Sequence, residues 1–105
     1  MNWEPITFDE LSNEILKGEI QMNPKHLKFW NEIKINPKKW NEDEYGNEGN
    51  VFWVVAKFKN LVVYYNDIEE GFNISDFIEE GKIENYYAEQ DELNIAILKL
   101  LKLES

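Results

Sequence analysis

The chain has 105 residues, of which 43% are hydrophobic, and it contains no cysteine. This length accommodates one hydrophobic core, which predicts a single domain over residues 1–105. Without cysteine, neither a disulfide framework nor a thiolate metal site can form. The 21 acidic and 11 basic residues give a net charge of -10. This charge disfavours direct binding to nucleic acid or to anionic membranes, because lysine and arginine supply the affinity for phosphates.

The first residues, "MNWEPITFDEL", lack the basic region and the apolar run of a signal peptide. No stretch of the sequence approaches the roughly 20 apolar residues of a membrane span. These features predict a soluble, cytoplasmic protein.

The first predicted element is a helix over about residues 8–17. Thr7 and Glu10 have the spacing of a capping box, in which each side chain accepts a hydrogen bond from the other residue's backbone. Gly18 predicts the end of the helix. The apolar side chains of this segment form one helical stripe: Phe8, Leu11 and Ile15.

The next segment, "MNPKHLKFWNEIKINPKKW", fits both a helix and a strand. Pro24 after Asn23 is typical of a helix start, whereas the alternation of apolar residues up to Ile35 is typical of a strand. We expect a short helical turn near 24–30 and a strand near 31–36, which Pro37 ends.

A polar loop is predicted over residues 41–50, and the strongest hairpin signal follows it. The runs "VFWVVAKF" and "LVVYYN" are β-branched and aromatic and are separated by Lys59 and Asn60. Both faces of the first run are apolar, which is typical of a central strand covered on both sides. Its Trp53 is expected to be structural.

Beyond the hairpin, Ser75 is expected to cap a short turn, "DFIEE", that Gly81 closes. The run "KIENYY" predicts a further strand, and "EQDELNIAILKLLKL" predicts a C-terminal helix with an apolar face widened by Ile95, Leu98 and Leu103. The whole pattern predicts an α+β fold, with an antiparallel sheet of three to four strands flanked by N-terminal and C-terminal helices.

Catalytic patterns are not evident in the sequence. His26 is the only histidine, so a serine or threonine nucleophile has one candidate base in the chain. Paired carboxylates around Asp67 would need a deep cleft to act on a sugar. With Gly71 at the sixth position of a calcium loop, the third and twelfth positions are Ile68 and Phe77, which cannot serve as side-chain ligands. We therefore expect a protein that is not an enzyme and needs no cofactor or metal.

Acidic residues concentrate in the second half of the chain. Ten acids and one base occur between Asp67 and Glu92, interleaved with aromatic residues of the kind enriched in protein interfaces. We expect one of Tyr64 and Tyr65, and one of Tyr86 and Tyr87, to point inward. The candidate residues for contact with a protein partner are Tyr65, Asp67, Glu69, Glu70, Phe72, Asp76, Glu79 and Glu80.

Several segments together resemble a family of small bacterial immunity proteins that are associated with polymorphic toxins of the Rhs and contact-dependent inhibition type. These segments are "INPKKW", "FWVVA", "VVYYNDIEEGFNIS" and "GKIENYYAEQDEL", of which "YNDIEEGFN" is the most distinctive. The resemblance covers about residues 30–95. It implies neutralisation of a cognate toxin by tight binding, and it carries over no catalytic residues.

Charge and resemblance lead to one principal functional hypothesis and two alternatives. The principal hypothesis is an immunity protein that binds a basic toxin domain, such as a nuclease, through an acidic, tyrosine-containing face. The first alternative is an acidic nucleic-acid mimic or regulator without a toxin partner. The second is a small enzyme with a carboxylate site.

Overall fold

A computed structural model describes residues 5–42 and 51–104 of the chain and shows an α+β fold. Within these ranges three helices accompany a five-stranded sheet, in which the strand order is β4-β3-β2-β1-β5. The elements are α1 (Phe8–Gln21), α2 (Pro24–Ile33), β1 (Lys34–Glu42), β2 (Val51–Phe58), β3 (Leu61–Asn66), β4 (Gly71–Asp76), β5 (Lys82–Ile83) and α3 (Leu93–Glu104).

The sheet departs from the predicted antiparallel sheet of three to four strands. Strands β1 to β4 pair antiparallel, but the short β5 adds to β1 in parallel, with Asn41 opposite Lys82 and Glu42 opposite Ile83. The sheet is therefore mixed. The strand predicted over "KIENYY" is confirmed at its first two residues, Lys82 and Ile83, which form β5. Its parallel pairing with β1 was not predicted, because pairing direction cannot be read from so short a run.

Helix α1 begins where the sequence predicts but ends later. The capping box is present, with Glu10 N donating to Thr7 Oγ1 over 3.1 Å and Thr7 N donating to Glu10 Oε1 over 2.9 Å. Gly18 does not end the helix, which continues to Gln21. A Cβ atom at Gly18 would lie 2.5 Å from the Cβ of Leu93. This glycine therefore allows α1 and α3 to approach closely.

The segment after α1 contains a longer helix than predicted. Asn23 caps α2 by accepting a hydrogen bond from His26 N, and the helix extends to Ile33. Pro37 lies inside β1 and does not end it. The register between β1 and β2 shifts between Lys34 and Lys38, and such an irregularity tolerates a residue that has no N–H to donate.

The predicted hairpin and the central position of its first strand are confirmed. Lys59 adopts a left-handed φ of 56° in the turn between β2 and β3, and β2 occupies the middle of the sheet. The predicted loop over 41–50 starts later, since Asn41 and Glu42 belong to β1; its residues 43–50 lie outside the described ranges.

Each face of the sheet carries its own hydrophobic core. The helices cover one face, where the buried residues include Leu11, Trp30, Val55, Val63, Tyr65, Phe72, Leu93, Ile97 and Leu100. The other face is covered by the chain that follows β4, and its buried residues are Trp40, Phe52, Val54, Val62, Tyr64 and Ile83. The two apolar faces of β2 belong to these two cores.

Residues 84–91, which we call the strap, run along the outer edge of β4. The predicted strand over "KIENYY" therefore ends at Ile83, and its last four residues belong to the strap. Phe72 N donates to Asp91 O over 2.8 Å, and a Cβ at Gly71 would lie 2.3 Å from Glu89 O. Ser75 belongs to β4 and does not cap a turn; its hydroxyl accepts a hydrogen bond from Asn85 N over 2.8 Å. The strap therefore covers a strand edge that would otherwise be open to pairing.

The C-terminal helix is confirmed, but its apolar face is narrower than predicted. Leu93, Ile97 and Leu100 are buried, whereas Ile95 and Leu103 are exposed. Among the described residues, no helix is long and apolar enough to cross a membrane.

Candidate functional site

The "YNDIEEGFN" segment forms the end of β3, a tight turn and the start of β4. Buried Asn66 builds the turn, since its Oδ1 accepts hydrogen bonds from Ile68 N (3.0 Å) and Glu69 N (3.2 Å). Its Nδ2 donates to Tyr87 O over 3.0 Å and so ties the turn to the strap. Glu70, with a φ of 61°, closes the turn. One asparagine therefore fixes the position of the acidic turn.

An acidic cleft of about 580 Å³ lies between this turn and α1. The turn contributes Asp67 and Glu70 to its lining, and α1 contributes Glu10 and Glu14. The one lysine in this lining is Lys17, whose Nζ pairs with Glu14 Oε2 at 3.1 Å. Four carboxylates and one ammonium give the cleft a net charge of -3.

Asp67 joins the turn to the segment that precedes α1. Its Oδ2 accepts a hydrogen bond from Ile6 N over 2.8 Å. Burial raises the pKa of Asp67, while that hydrogen bond and the charge of Lys39 oppose the rise. The carboxylate is thus partly desolvated at one end of the cleft.

Tyr65 lines the cleft but is only 5% exposed. Its ring packs edge-on against Phe72 in the core beneath the helices, with the centroids 4.8 Å apart. The pKa of Tyr65 is raised to about 12, mainly by burial and to a smaller extent by the charges of Glu14, Glu70, Asp67 and Glu10, in that order. The hydroxyl makes no hydrogen bond among the described residues and is not enclosed by them, so the polar end of the ring opens to the cleft that Tyr65 lines.

Tyr64 lies on the opposite face of β3 and is fully buried. Its hydroxyl accepts a hydrogen bond from Tyr87 N over 2.8 Å and donates to Asn85 O over 3.1 Å. The expectation that only one of Tyr64 and Tyr65 points inward is wrong, because both faces of the sheet carry a core. Tyr86 and Tyr87 behave as expected: Tyr86 packs on the second core and Tyr87 is 51% exposed.

Two of the predicted contact residues are not exposed side chains, although Tyr65 still lines the cleft. Tyr65 is 5% exposed and Phe72 is 1% exposed. Both side chains belong to the core beneath the helices. The alternation of residues along a strand did not show that helices cover this face.

The remaining predicted acids divide into two groups. Asp67, Glu69 and Glu70 occupy the turn before β4, whereas Asp76 is the last residue of β4 and Glu79 and Glu80 follow it. A six-residue strand separates the groups by about 17 Å. In the second group Glu80 is paired with Lys57, with Nζ–Oε1 at 2.6 Å. The predicted residues therefore do not form one continuous acidic face.

Sequence reasoning missed the two α1 acids that complete the cleft. Glu10 and Glu14 precede the turn by more than 50 residues, and only their i, i+4 spacing indicated that they share one side of a helix. Among the described residues, no group of three or more acidic or histidine side chains is arranged to hold a metal ion.

The structure is thus a small α+β domain whose sheet carries a hydrophobic core on each face, with an acidic cleft at the surface. No family model, curated protein or solved structure matches the chain.

Proposed function

We propose that the chain is a cytoplasmic immunity protein that binds and neutralises a cognate bacterial toxin with a basic surface, such as a nuclease domain. One observation carries this proposal. The segment in which the resemblance to immunity proteins is most distinctive, "YNDIEEGFN", is the segment that builds the acidic wall of the cleft. It also holds Asn66, which fixes that wall in place.

Charge complementarity supports a basic partner. An enzyme that acts on nucleic acid has a positively charged surface where it binds phosphates. This chain has a net charge of -10, of which -3 lies in the cleft, so the cleft is attracted to such a surface. Such attraction raises the association rate and disfavours acidic partners. Binding at the phosphate-binding region of a nuclease would block its substrate.

We propose binding and not catalysis because of what lines the cleft. Its ionisable side chains are four carboxylates, one lysine and one phenol, all facing an open depression. The chain's single histidine, His26, belongs to α2 and is not part of this lining. A general acid–base pair would need one carboxyl held protonated near neutral pH beside an ionised partner, within a site that excludes water.

Coexpression tests the proposal. The C-terminal domain of the polypeptide encoded immediately upstream would be produced in a bacterial host with and without this chain. We expect growth arrest by that domain alone, restored growth on coexpression and a stable complex of the two purified proteins. A Leu11→Asp variant, which places a charge in the core, is the control that should not restore growth.

Two results would contradict the proposal. One is growth arrest that persists when folded wild-type chain is present. The other is inhibition of several unrelated DNA-binding proteins without preference for the upstream domain, which supports the alternative of a nucleic-acid mimic.

A further inference from the structure

We propose that the acidic cleft is a receptor for an arginine side chain of the protein partner, with Tyr65 at its floor and carboxylates on both walls. This inference rests on the proposed function and specifies the chemical group that the partner inserts.

The first observation is that the carboxylates lie on two opposing walls. Glu10 and Glu14 belong to α1, and Asp67 and Glu70 to the β3–β4 turn. A cation between the walls is therefore attracted from both sides. A planar guanidinium has five N–H donors directed to several sides, so it can bond to both walls at once, whereas an ammonium group acts as a compact point charge.

The second observation is independent of the acids. Tyr65 is more than nine-tenths buried, yet none of the hydrogen bonds among the described residues involves its hydroxyl. Tyr64, its neighbour in β3, has its hydroxyl bonded to the strap on both sides. The ring of Tyr65 is buried, but its hydroxyl is open to the cleft and can be reached by a bound group. The hydroxyl of Tyr65 can accept a hydrogen bond from a guanidinium that enters the cleft.

The third observation concerns the rim. Leu16 and Ile20 line the cleft from α1 and are 54% and 71% exposed. An arginine side chain has a three-carbon stem that packs on apolar surface while its charged end reaches acidic groups. The combination of an apolar rim with acidic walls therefore suits an arginine better than a free polyamine, which has amines along its whole length.

Lys17 gives the inference an internal test. It is 64% exposed and pairs with Glu14 in the free protein, so it competes with an incoming cation for one carboxylate. Removal of this lysine should strengthen cation binding, and removal of Glu14 should weaken it. A merely structural role for these residues does not predict opposite effects on binding.

The experiment is an NMR titration of the whole chain with acetyl-Gly-Arg-Gly-amide at low ionic strength. The same peptide with citrulline is the neutral control, and the lysine peptide and spermidine are the competing cations. We expect amide shifts along α1 from residue 10 to residue 20 and in the 67–70 turn. The arginine peptide should bind more tightly than all three comparison compounds.

Single substitutions test which residues contribute to binding of the arginine peptide. Glu14→Gln should weaken arginine binding about two- to fivefold, as expected for one exposed charge pair, and Lys17→Gln should strengthen it by a similar factor. Glu79→Gln, about one strand length from the cleft, should leave it unchanged. Tyr65→Phe should weaken binding while the fold, judged by the other amide signals, is retained.

Three results would overturn the inference. They are equal shifts with the arginine and citrulline peptides, equal or tighter binding of lysine or spermidine, and shifts centred on residues 76–80. Failure here is distinguishable from failure of the proposed function. A toxin neutralised equally well by the Glu14→Gln/Glu70→Gln variant refutes the arginine receptor alone, whereas specific arginine binding by a chain that neutralises no toxin refutes the immunity role alone.

Discussion

Tyr64 and Tyr65 are adjacent in β3 and both are buried, but their hydroxyl groups have opposite surroundings. The Tyr64 hydroxyl is bonded to the backbone of the strap through Tyr87 N at 2.8 Å and Asn85 O at 3.1 Å. The Tyr65 hydroxyl ends at the acidic cleft and makes no hydrogen bond within the described residues. Tyr64 thus stabilises the contact between β3 and the strap, whereas the hydroxyl of Tyr65 is available to a ligand.

The two tyrosines should therefore respond differently to loss of the hydroxyl. Tyr64→Phe leaves Tyr87 N without its acceptor and should lower the free energy of unfolding by about 1–3 kcal/mol. Tyr65→Phe breaks no internal hydrogen bond and should change it by less than about 0.5 kcal/mol. Urea denaturation of both variants measures the difference. Equal losses would contradict the assignment of the two hydroxyl groups.

Ionisation of Tyr65 reports on the carboxylates around it. Burial and then the charge of Glu14 raise the pKa of Tyr65 to about 12. Glu14→Gln removes one of these charges, so the pKa of Tyr65 should fall. The ring signals of Tyr65 in an alkaline NMR titration measure this change, with Glu79→Gln as the control. An unchanged pKa in the Glu14→Gln variant would place Glu14 away from the hydroxyl.

Asp67 predicts a pH-dependent effect on stability. Because its pKa is raised by burial, the folded chain holds a proton on Asp67 more tightly than the unfolded chain. Its contribution to stability is therefore largest below about pH 4, the ordinary pKa of aspartate, and declines as the pH rises through the folded-state value.

Asp67→Asn removes this titration and retains an oxygen that can accept the hydrogen bond from Ile6 N. The stability of the variant relative to wild type should increase from pH 4 to pH 7. Thermal denaturation across this range tests it. A difference that does not depend on pH would show that the carboxylate is not desolvated in the folded chain.

Gly18 should be intolerant of alanine even though alanine favours helices. A methyl group there would meet the Cβ of Leu93 at 2.5 Å and the backbone N of Asn94 at 3.1 Å, so α1 and α3 would have to separate. We expect Gly18→Ala to destabilise the fold by about 1–3 kcal/mol, the usual cost of overpacking. Ser12→Ala, at an exposed position of α1, is the matched control. A stabilised Gly18→Ala variant would contradict the close helix contact.

The sequence predicted elements that local signals define. The capping box of α1, the hairpin at Lys59 and Asn60, and the C-terminal helix follow from residue spacing within one segment. It did not predict where α1 ends, because Gly18 serves a contact with Leu93 that is 75 residues away in the chain. It also did not predict the strap, whose path is set by hydrogen bonds to Asn66, Asn73 and Ser75.

The candidate site was predicted in part. The acidic turn at Asp67 and Glu70 was identified from charge, and it forms one wall of the cleft. The opposite wall, with Glu10 and Glu14, depends on the packing of α1 beside β3, which no local pattern specifies. Tyr65 was predicted to be an exposed contact residue. It does line the cleft, but its ring lies in the core.

The most direct test of the account is the association rate with the toxin domain, measured by stopped flow at two ionic strengths. One variant, Glu14→Gln/Glu70→Gln, neutralises the cleft, and a second, Glu79→Gln/Glu80→Gln, removes the same charge from the far end of β4. We expect the cleft variant to associate more slowly and with a weaker dependence on salt, and the second variant to stay close to wild type. An equal or larger effect of the second variant would contradict it.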